Sequence, residues 1–411
     1  MTDPTRAAAF DLLTAVLDRG RPIEEALDAL PDIESRDRAA AHRLTASVLR
    51  RLGTLDAVME PFLAKHPPMP VRHILRLGAA AVLLLDAPPH AAVATAVDLA
   101  RAKGLAPFTG LINAVLRRIA AGGLSALNDL DAPRLDTPSW LWTAWGRDAR
   151  AIAIAHQREA PIDLTLAPGA VAPEGGVELL TGSWRYAPGT RVTGLPGFAE
   201  GKFWVQDAAA ALPARMLAAQ AGELIADLCA APGGKTAQLA ATGARVIAVE
   251  RDTKRIDRLR ENLTRLGLNP EIIHADATVW RPPALLDAVL LDAPCSATGT
   301  IRRHPDVLHI KRASDIGALT KLQDKLLDAA CAMLRPGGRL VYAVCSLLPA
   351  EGEARIDAAL ARLPLRLVPI QVGGFGLPEA ITPEFTLRTT PALWPDIGGM
   401  DGFFAARLER L

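Results

Sequence analysis

From about residue 208 onward the chain alternates aliphatic, β-branched runs with amphipathic helical stretches, and this alternation most restricts its fold. The pattern predicts strands over 223–228, 245–250, 271–274, 288–291 and 339–344. Helices fall between several of them, as over 253–266 and 318–334. Alternation of this kind builds a parallel sheet with right-handed crossovers, an α/β domain of the doubly wound type. Late runs at 365–368 and 403–408 are expected to complete the sheet. In open sheets of this class ligands bind beyond the carboxyl ends of the strands. Asp227, Glu250, Asp276, Asp292 and Cys345 all fall at such ends.

The first 120 or so residues read differently, as helices only. Ala8, Leu12, Leu13 and Val16 recur at helical spacing, and Gly20 is a stop signal. Helical patterns follow at 36–53, 55–64, 70–85, 90–103 and 108–121, separated by short Gly- or Pro-containing connections, which suits a compact bundle. Residues 122–139 turn polar and are interrupted by Gly and Pro, the signature of a linker. One helical stretch at 139–159 and short strand-like runs such as 162–166 predict a small α+β element. The expected organisation is a helical domain over 1–128, a linker over 129–139, a small α+β subdomain over 140–207 and the α/β domain over 208–411.

A chain of 411 residues has room for two or three such domains. Half its residues are apolar and its formal charge is +1, so it is globular, and any nucleic-acid surface must come from local clustering. The four cysteines form neither a disulfide framework nor a CxxC pair, so no metal is expected and a reducing cytoplasm is the expected compartment. Met1–Arg6 lacks a signal-peptide layout, and the apolar run over residues 78–87 is too short to cross a bilayer. No membrane association is expected.

The first strand of the α/β region runs into Cys229-Ala230-Ala231-Pro232-Gly233-Gly234-Lys235, a Gly-rich turn opening a helix. Gly233 and Gly234 permit tight turning and close backbone approach. Glu250, ending the second strand, can take both hydroxyls of a ribose, and Asp276, ending the third, lies where an adenine would sit. The GxGxxG fingerprint of dinucleotide sites is absent. Carboxylates at successive strand ends would repel a pyrophosphate but suit a cationic sulfonium, so S-adenosylmethionine fits better than NAD.

Cys295 and Cys345 end two further strands, and each is followed by Ser. A thiolate adding to C6 of cytosine turns C5 into an enamine-like carbon that can accept a methyl group. That chemistry needs a nucleophilic Cys, an acid/base group and a polar partner for the edge of the base. Cys345, Cys295 and Asp292 can supply these, with Lys235 adding charge that favours a thiolate. Cys331 and Cys229 read as packing residues. Arg36, Arg43 and Arg50, spaced by sevens, share one helix face, and Arg302, Arg303, His304, Lys311 and Arg312 follow the Cys295 loop. Both groups are either solvated surfaces or contacts to RNA phosphates. A target base must be unstacked to reach a thiol, so a loop or flipped nucleotide is expected.

At these residues the chain resembles the NOL1/NOP2/Sun family of RNA cytosine-5 methyltransferases. The likeness runs through 227–236, 250–268, 291–306 and 342–353, and ends in Gly398-Gly399-Met400-Asp401-Gly402-Phe403-Phe404. The helical region resembles the antitermination-factor NusB domain, above all at 6–17 and 91–118. The resemblance implies a Rossmann-like S-adenosylmethionine-dependent methyltransferase domain preceded by an all-α NusB-like RNA-binding domain. This pairing is typical of bacterial enzymes that form 5-methylcytosine in 16S rRNA. By resemblance Cys345 is the nucleophile, Cys295 assists product release, and the 229–235 turn, Glu250, Asp276 and Asp292 hold the cofactor. Glu250 stands where the family usually has Asp, and Val344 where it usually has Thr. A monomer acting on RNA is implied. The alternatives are a 5-methylcytosine methyltransferase of tRNA or 23S rRNA, a non-catalytic ribosome-assembly factor, and, more distantly, an NAD-dependent dehydrogenase.

Overall fold

The computed structural model describes residues 3–371 and 375–411; Met1 and Thr2, which open the segment read for a signal layout, lie outside them. The chain divides into two compact units. One comprises Met1–Glu159 with Ile301–Arg312, the other Ala160–Thr300 with Ala313–Leu411.

The first unit is helical, with its main helices at Pro4–Leu17, Ile23–Asp28, Ser35–Arg50, Leu52–Met59, Met69–Leu84, Pro89–Ala102 and Thr109–Gly122. Local chemistry sets the starts: Asp3 accepts hydrogen bonds from the amides of Thr5 and Arg6, and Pro70 and Pro89 occupy first-turn positions where no amide donor is missed. Leu12, Leu13, Leu49, Leu55, Met59, Ile74 and Leu75 are fully buried in one apolar core. A Cβ on Gly78 would lie 2.5 Å from Leu116 Cδ1, so two helices of the bundle pack closely only because residue 78 lacks a side chain.

Two features of this unit differ from the sequence reading. The stretch expected to be a linker is tied down. Its Asp136 is buried and accepts from the Thr54 amide at 2.7 Å, Thr54 Oγ1 at 2.8 Å, Arg51 Nε at 3.0 Å and Gln157 Nε2 at 3.1 Å. The expected helix over 139–159 is two helices, Ser139–Trp145 and Ala149–His156, broken where Gly146 adopts φ +56°. Both belong to the helical unit, and residues 160–207 hold four strands and a short 3-10 turn rather than the expected α+β element.

The second unit opens with a four-stranded antiparallel sheet. Its strands are β1 (Ile162–Leu166), β2 (Val177–Glu178), β3 (Trp184–Tyr186) and β4 (Phe203–Val205), in the order β2-β3-β1-β4. Asp163 and Arg185 form a buried bidentate pair across β1 and β3, both bonds 2.7 Å. The large sheet follows: β5 (Leu224–Leu228), β6 (Arg245–Glu250), β7 (Glu271–His274), β8 (Leu286–Asp292), β9 (Leu334–Val344), β10 (Leu365–Leu367), β11 (Leu387–Arg388) and β12 (Phe404–Arg410). Its order is β10-β12-β9-β8-β5-β6-β7, with β11 also on β12. β5 to β9 run parallel, but β12 is antiparallel to β9, β10 and β11, so the sheet is mixed. Strand order reverses between β5 and β8, which makes the carboxyl ends of these two neighbours the switch point.

Candidate functional site

The residues picked out at strand ends converge. β5 ends in Leu228 and continues into Cys229, which adopts φ +64°, a conformation costly for a side chain bearing Cβ. Gly233, at φ +103°, lets the chain turn into the helix Gly234–Ala240; a Cβ there would lie 2.6 Å from Leu259 Cδ1. Glu250 is 3% exposed at the end of β6. Its carboxylate accepts from the amides of Ala231 at 3.3 Å, Arg251 at 2.9 Å and Asp252 at 3.1 Å, and faces Arg255 Nη1 at 3.3 Å. A cleft opens beside it, lined by Cys229, Glu250, Asp276, Ala277 and Pro294 among others. Asp276 accepts from Thr278 through both amide and hydroxyl, which holds its carboxyl below the usual range.

Asp227, read only as a strand-end polar residue, is completely buried. Thr236 Oγ1 donates to its Oδ2 at 2.6 Å, while Oδ1 has no partner among the described residues. Burial, reinforced by the nearby charges of Asp292 and Glu250, pushes its carboxyl up to about 7. A cleft framed by Glu250 and Asp276 suits a nucleoside carrying positive charge. Burial and the Glu250 charge push the Cys229 thiol up to about 12, so this cysteine stays neutral and serves packing.

The thiols of Cys295 and Cys345 meet at 3.4 Å. The two loops that carry them are stitched together by backbone. Gly299 N–H donates to the Cys345 carbonyl at 3.0 Å, and Gly402 N–H to the Gly299 carbonyl at 2.8 Å. A Cβ on Gly299 would lie 1.8 Å from the Gly402 carbonyl oxygen, so the Gly-rich segment near the C-terminus seats against the Cys295 loop. The hydrogen bond to Cys345, together with burial, pushes the Cys295 thiol well above its ordinary value. Either sulfur can donate across this contact.

Lys235 lies in the same group. Its Nζ is 2.8 Å from Asp292 Oδ2 and 5.2 Å from the centre of the Phe403 ring. Burial works against its charge, but Asp292 and Cys345 outweigh that and raise it above the ordinary lysine value.

The basic residues fare differently. Arg36 and Arg43 are exposed, Arg43 lying 3.3 Å from Glu159. Arg50 is not part of an RNA-facing stripe: it is buried, and Nη2 donates to the Arg302 carbonyl at 3.0 Å. Arg302 is 1% exposed, which likewise removes it from a phosphate-binding surface. The reason is the segment Ile301–Arg312, which packs as part of the helical unit. Asp306 of this segment takes the Ile23 amide at 3.1 Å, and His309 Nε2 pairs with the Leu49 carbonyl at 2.8 Å. Heptad spacing puts three arginines on one face without revealing that its C-terminal end is covered. Arg303 and Lys311 are half-buried, and Arg312 is exposed.

One functional group went unsignalled in the sequence. Glu351, in the turn after Cys345, is completely buried and bonds both serines that follow the cysteines. Its only trace was its place inside the 342–353 segment, two residues before the end. Among the described residues no group of three or more His, Cys, Asp or Glu is arranged to hold a metal, and no helix is long and apolar enough to cross a membrane.

A switch-point cleft with acidic strand ends, on a sheet whose last strand is antiparallel, makes the second unit a Rossmann-like methyltransferase domain, preceded by an all-α NusB domain. Known proteins agree. A family model described as 16S rRNA methyltransferase RsmB/F matches residues 214–409, and that of the NusB family residues 3–121. The ribosomal RNA small subunit methyltransferase B of Xanthomonas campestris is 38% identical, with 87% of this chain and 88% of that protein aligned. The protein of the same name from Vibrio cholerae is 39% identical over 98% of this chain and 97% of its own length. The crystal structure of PH0851 superposes with a TM-score of 0.77 over 100% of this chain and 99% of that one, at 24% identity. A methyltransferase homologue from Pyrococcus horikoshii gives 0.54 at 28% identity, over 66% of this chain and 93% of that one. The chain belongs to the 16S rRNA methyltransferase RsmB/F family.

Proposed function

We propose that this protein uses S-adenosylmethionine to form 5-methylcytosine in 16S rRNA, through a covalent bond from Cys345 to C6 of the base. The observation that carries this reading is the pair of thiols 3.4 Å apart at the switch point, with Lys235 and Asp292 joined beside them. When bound, the cofactor supplies an electrophilic methyl group. The 229–235 turn, Glu250 and Asp276 hold it, Glu250 toward the ribose hydroxyls and Asp276 toward the adenine.

The Cys345 thiolate, favoured by Lys235, adds to C6, and the electron pair of the 5,6 double bond becomes available at C5. Asp292 and Lys235 meet the edge of the base. Once C5 carries the methyl group, its hydrogen must leave and the sulfur–C6 bond must break. Cys295 gives its proton to the departing Cys345 sulfur and takes the proton of C5. The net result is aromatic 5-methylcytosine and a protonated Cys345, which loses its proton before the next turnover. Of the basic residues singled out for RNA phosphates, Arg36, Arg43 and Arg312 are exposed and Arg303 and Lys311 half-buried.

The test compares two variants on 16S rRNA. Cys345→Ala should abolish methylation, read by bisulfite sequencing, and form no conjugate. Cys295→Ala should stall at elimination and leave a protein–RNA conjugate that survives denaturing electrophoresis and requires S-adenosylmethionine. Normal turnover by either variant, or a conjugate formed by Cys345→Ala, overturns the reading; methylation found only in tRNA or 23S rRNA overturns the substrate.

A further inference from the structure

Each cysteine is followed by a serine, and both serines are completely buried. Their hydroxyls end on one carboxylate. Glu351 Oε2 accepts from Ser296 Oγ and from Ser346 Oγ, each at 2.6 Å. Oε1 accepts from the Ser296 amide at 2.9 Å and from Gln323 Nε2 at 3.1 Å. Gln323 also donates to the Pro294 carbonyl at 2.9 Å, so the residue before Cys295 joins the same network. Four donors on two oxygens satisfy the acceptor sites of this fully buried carboxyl group, as a buried polar group requires.

The remaining contacts hold the carboxylate itself in place. The Tyr342 hydroxyl donates to the Glu351 carbonyl at 2.7 Å, from the strand that ends in Cys345. On the other side of Ser346, Arg388 donates to the Ser346 carbonyl at 2.6 Å while its guanidinium pairs with Glu353 at 2.6 and 3.1 Å. Ser346 is thus held through both side chain and backbone. The thiols sit on two separate loops, fifty residues apart in the chain. Nothing in the parallel pairing of β8 and β9 sets their separation, because both cysteines lie beyond the last paired residues. Side chains join the loops instead: Thr298 Oγ1 accepts from the Leu347 amide at 3.0 Å and meets Ser346 Oγ at 3.3 Å, and Glu351 takes both serine hydroxyls at the shorter distance of 2.6 Å.

We propose that Glu351 is a positioning residue: its single carboxylate locks the residue after each cysteine and so fixes the two sulfurs at the separation across which a proton passes. It touches neither cofactor nor base. The inference rests on the two-thiol reading above, and deepens it by naming what sets the thiol geometry. Glu351 also acts, after the Cys345 hydrogen bond, burial and the Cys345 charge, to raise the Cys295 thiol.

The test uses Glu351→Gln in the full chain, which preserves volume but removes the charge and turns an NH2 toward donors. The first readout needs neither RNA nor cofactor. An azodicarboxamide oxidant takes two electrons and two protons from the thiols, joining Cys295 to Cys345 as a disulfide and becoming the hydrazine. Alkylation and mass spectrometry measure how fast the pair is lost. The parent should cross-link rapidly and Glu351→Gln at least tenfold more slowly. The second readout is kinetic: kcat should fall tenfold or more while the RNA KM and the cofactor Kd stay within twofold, with conjugate accumulating as in Cys295→Ala. Ser346→Ala, which removes one of the four bonds, should move both readouts in the same direction by less, and decides the matter should Glu351→Gln not fold. Parental cross-linking in either folded variant overturns the proposal, as does a fall in kcat with no change in cross-linking rate. Normal turnover by Cys345→Ala would sink the two-thiol mechanism instead, and would leave the cross-linking result standing as a statement about geometry.

Discussion

Buried charge does different work in the two units. In the helical unit it holds helices to one another: Arg76 grips Asp56 with two bonds of 2.8 Å, Arg51 takes Asp136, and Arg50 holds the Arg302 carbonyl. Burial, with the charges of Arg302 and Arg50, even drives His156 down to about 3, so it stays neutral among them. In the α/β unit Asp163 and Arg185 pair in the same way across the small sheet, but the buried Asp227 and Glu250 stand at the ends of neighbouring strands, and Asp227 keeps an oxygen without a partner among the described residues. The contrast has a geometric origin. A helix face is covered by whatever packs on it, and its charges are satisfied there. Strand ends leave the hydrogen-bond ladder together, and polar side chains at neighbouring ends face one crevice.

The sharpest way to break this contrast is a pH titration of stability. The Asp227 carboxyl sits at about 7 in the folded protein, against an ordinary value near 3.8. Because the folded value is raised, its contribution is fully present below about pH 4 and lost as pH rises through about 7. Between pH 5 and 8 the parent should lose about 3 kcal/mol that Asp227→Asn does not lose, read by urea midpoints at each pH. Parallel curves for the two proteins would mean that Asp227 carries no stored cost.

Next in size is Glu250→Ala. Losing charge-assisted contacts to a ribose costs about 1.5–3 kcal/mol per bond, so S-adenosylmethionine binding should weaken at least tenfold by calorimetry. Unchanged affinity would take Glu250 out of the site.

The helical unit supplies the smaller effects. Arg50→Ala should cost about 2 kcal/mol of stability, because it opens a cavity and leaves the Arg302 carbonyl without this donor. Arg36→Ala and Arg43→Ala should each stay within about 0.5 kcal/mol, as exposed substitutions do. The double variant of the latter two should flatten the salt dependence of RNA binding by less than two counterions, read by filter binding. Equal thermal shifts for Arg50→Ala and Arg36→Ala would erase the distinction between a holding and a surface arginine.

Much of the architecture was legible from periodicity. β1, β6 and β7 fall over the residues their alternation predicts, and the helix Thr253–Arg265 ends one residue short of its expected boundary. The short helices Ile23–Asp28 and Ala132–Leu135 were not legible, since six and four residues are too few to display a 3.6-residue repeat. The direction of β12 was not legible either. An apolar alternating run reads the same whichever way it pairs, and only the chain path through β10 and β11 makes it antiparallel.

By itself the sequence determined which residues would be polar at the ends of strands. That information is local: a run of alternating apolar residues stops, and an Asp, Glu or Cys follows. It was enough to name Cys295, Cys345, Lys235, Glu250, Asp276 and Asp292 as one group. What only tertiary structure decided is which groups are covered and which are brought face to face. Arg50 and Arg36 have the same side chain on the same helix, yet a segment some 250 positions later in the chain buries one and leaves the other in solvent. Glu351 is an unremarkable turn residue until two loops fold back and place four donors around it. Burial and bond satisfaction are properties of the packed chain, set by neighbours distant in sequence, and no local pattern encodes them.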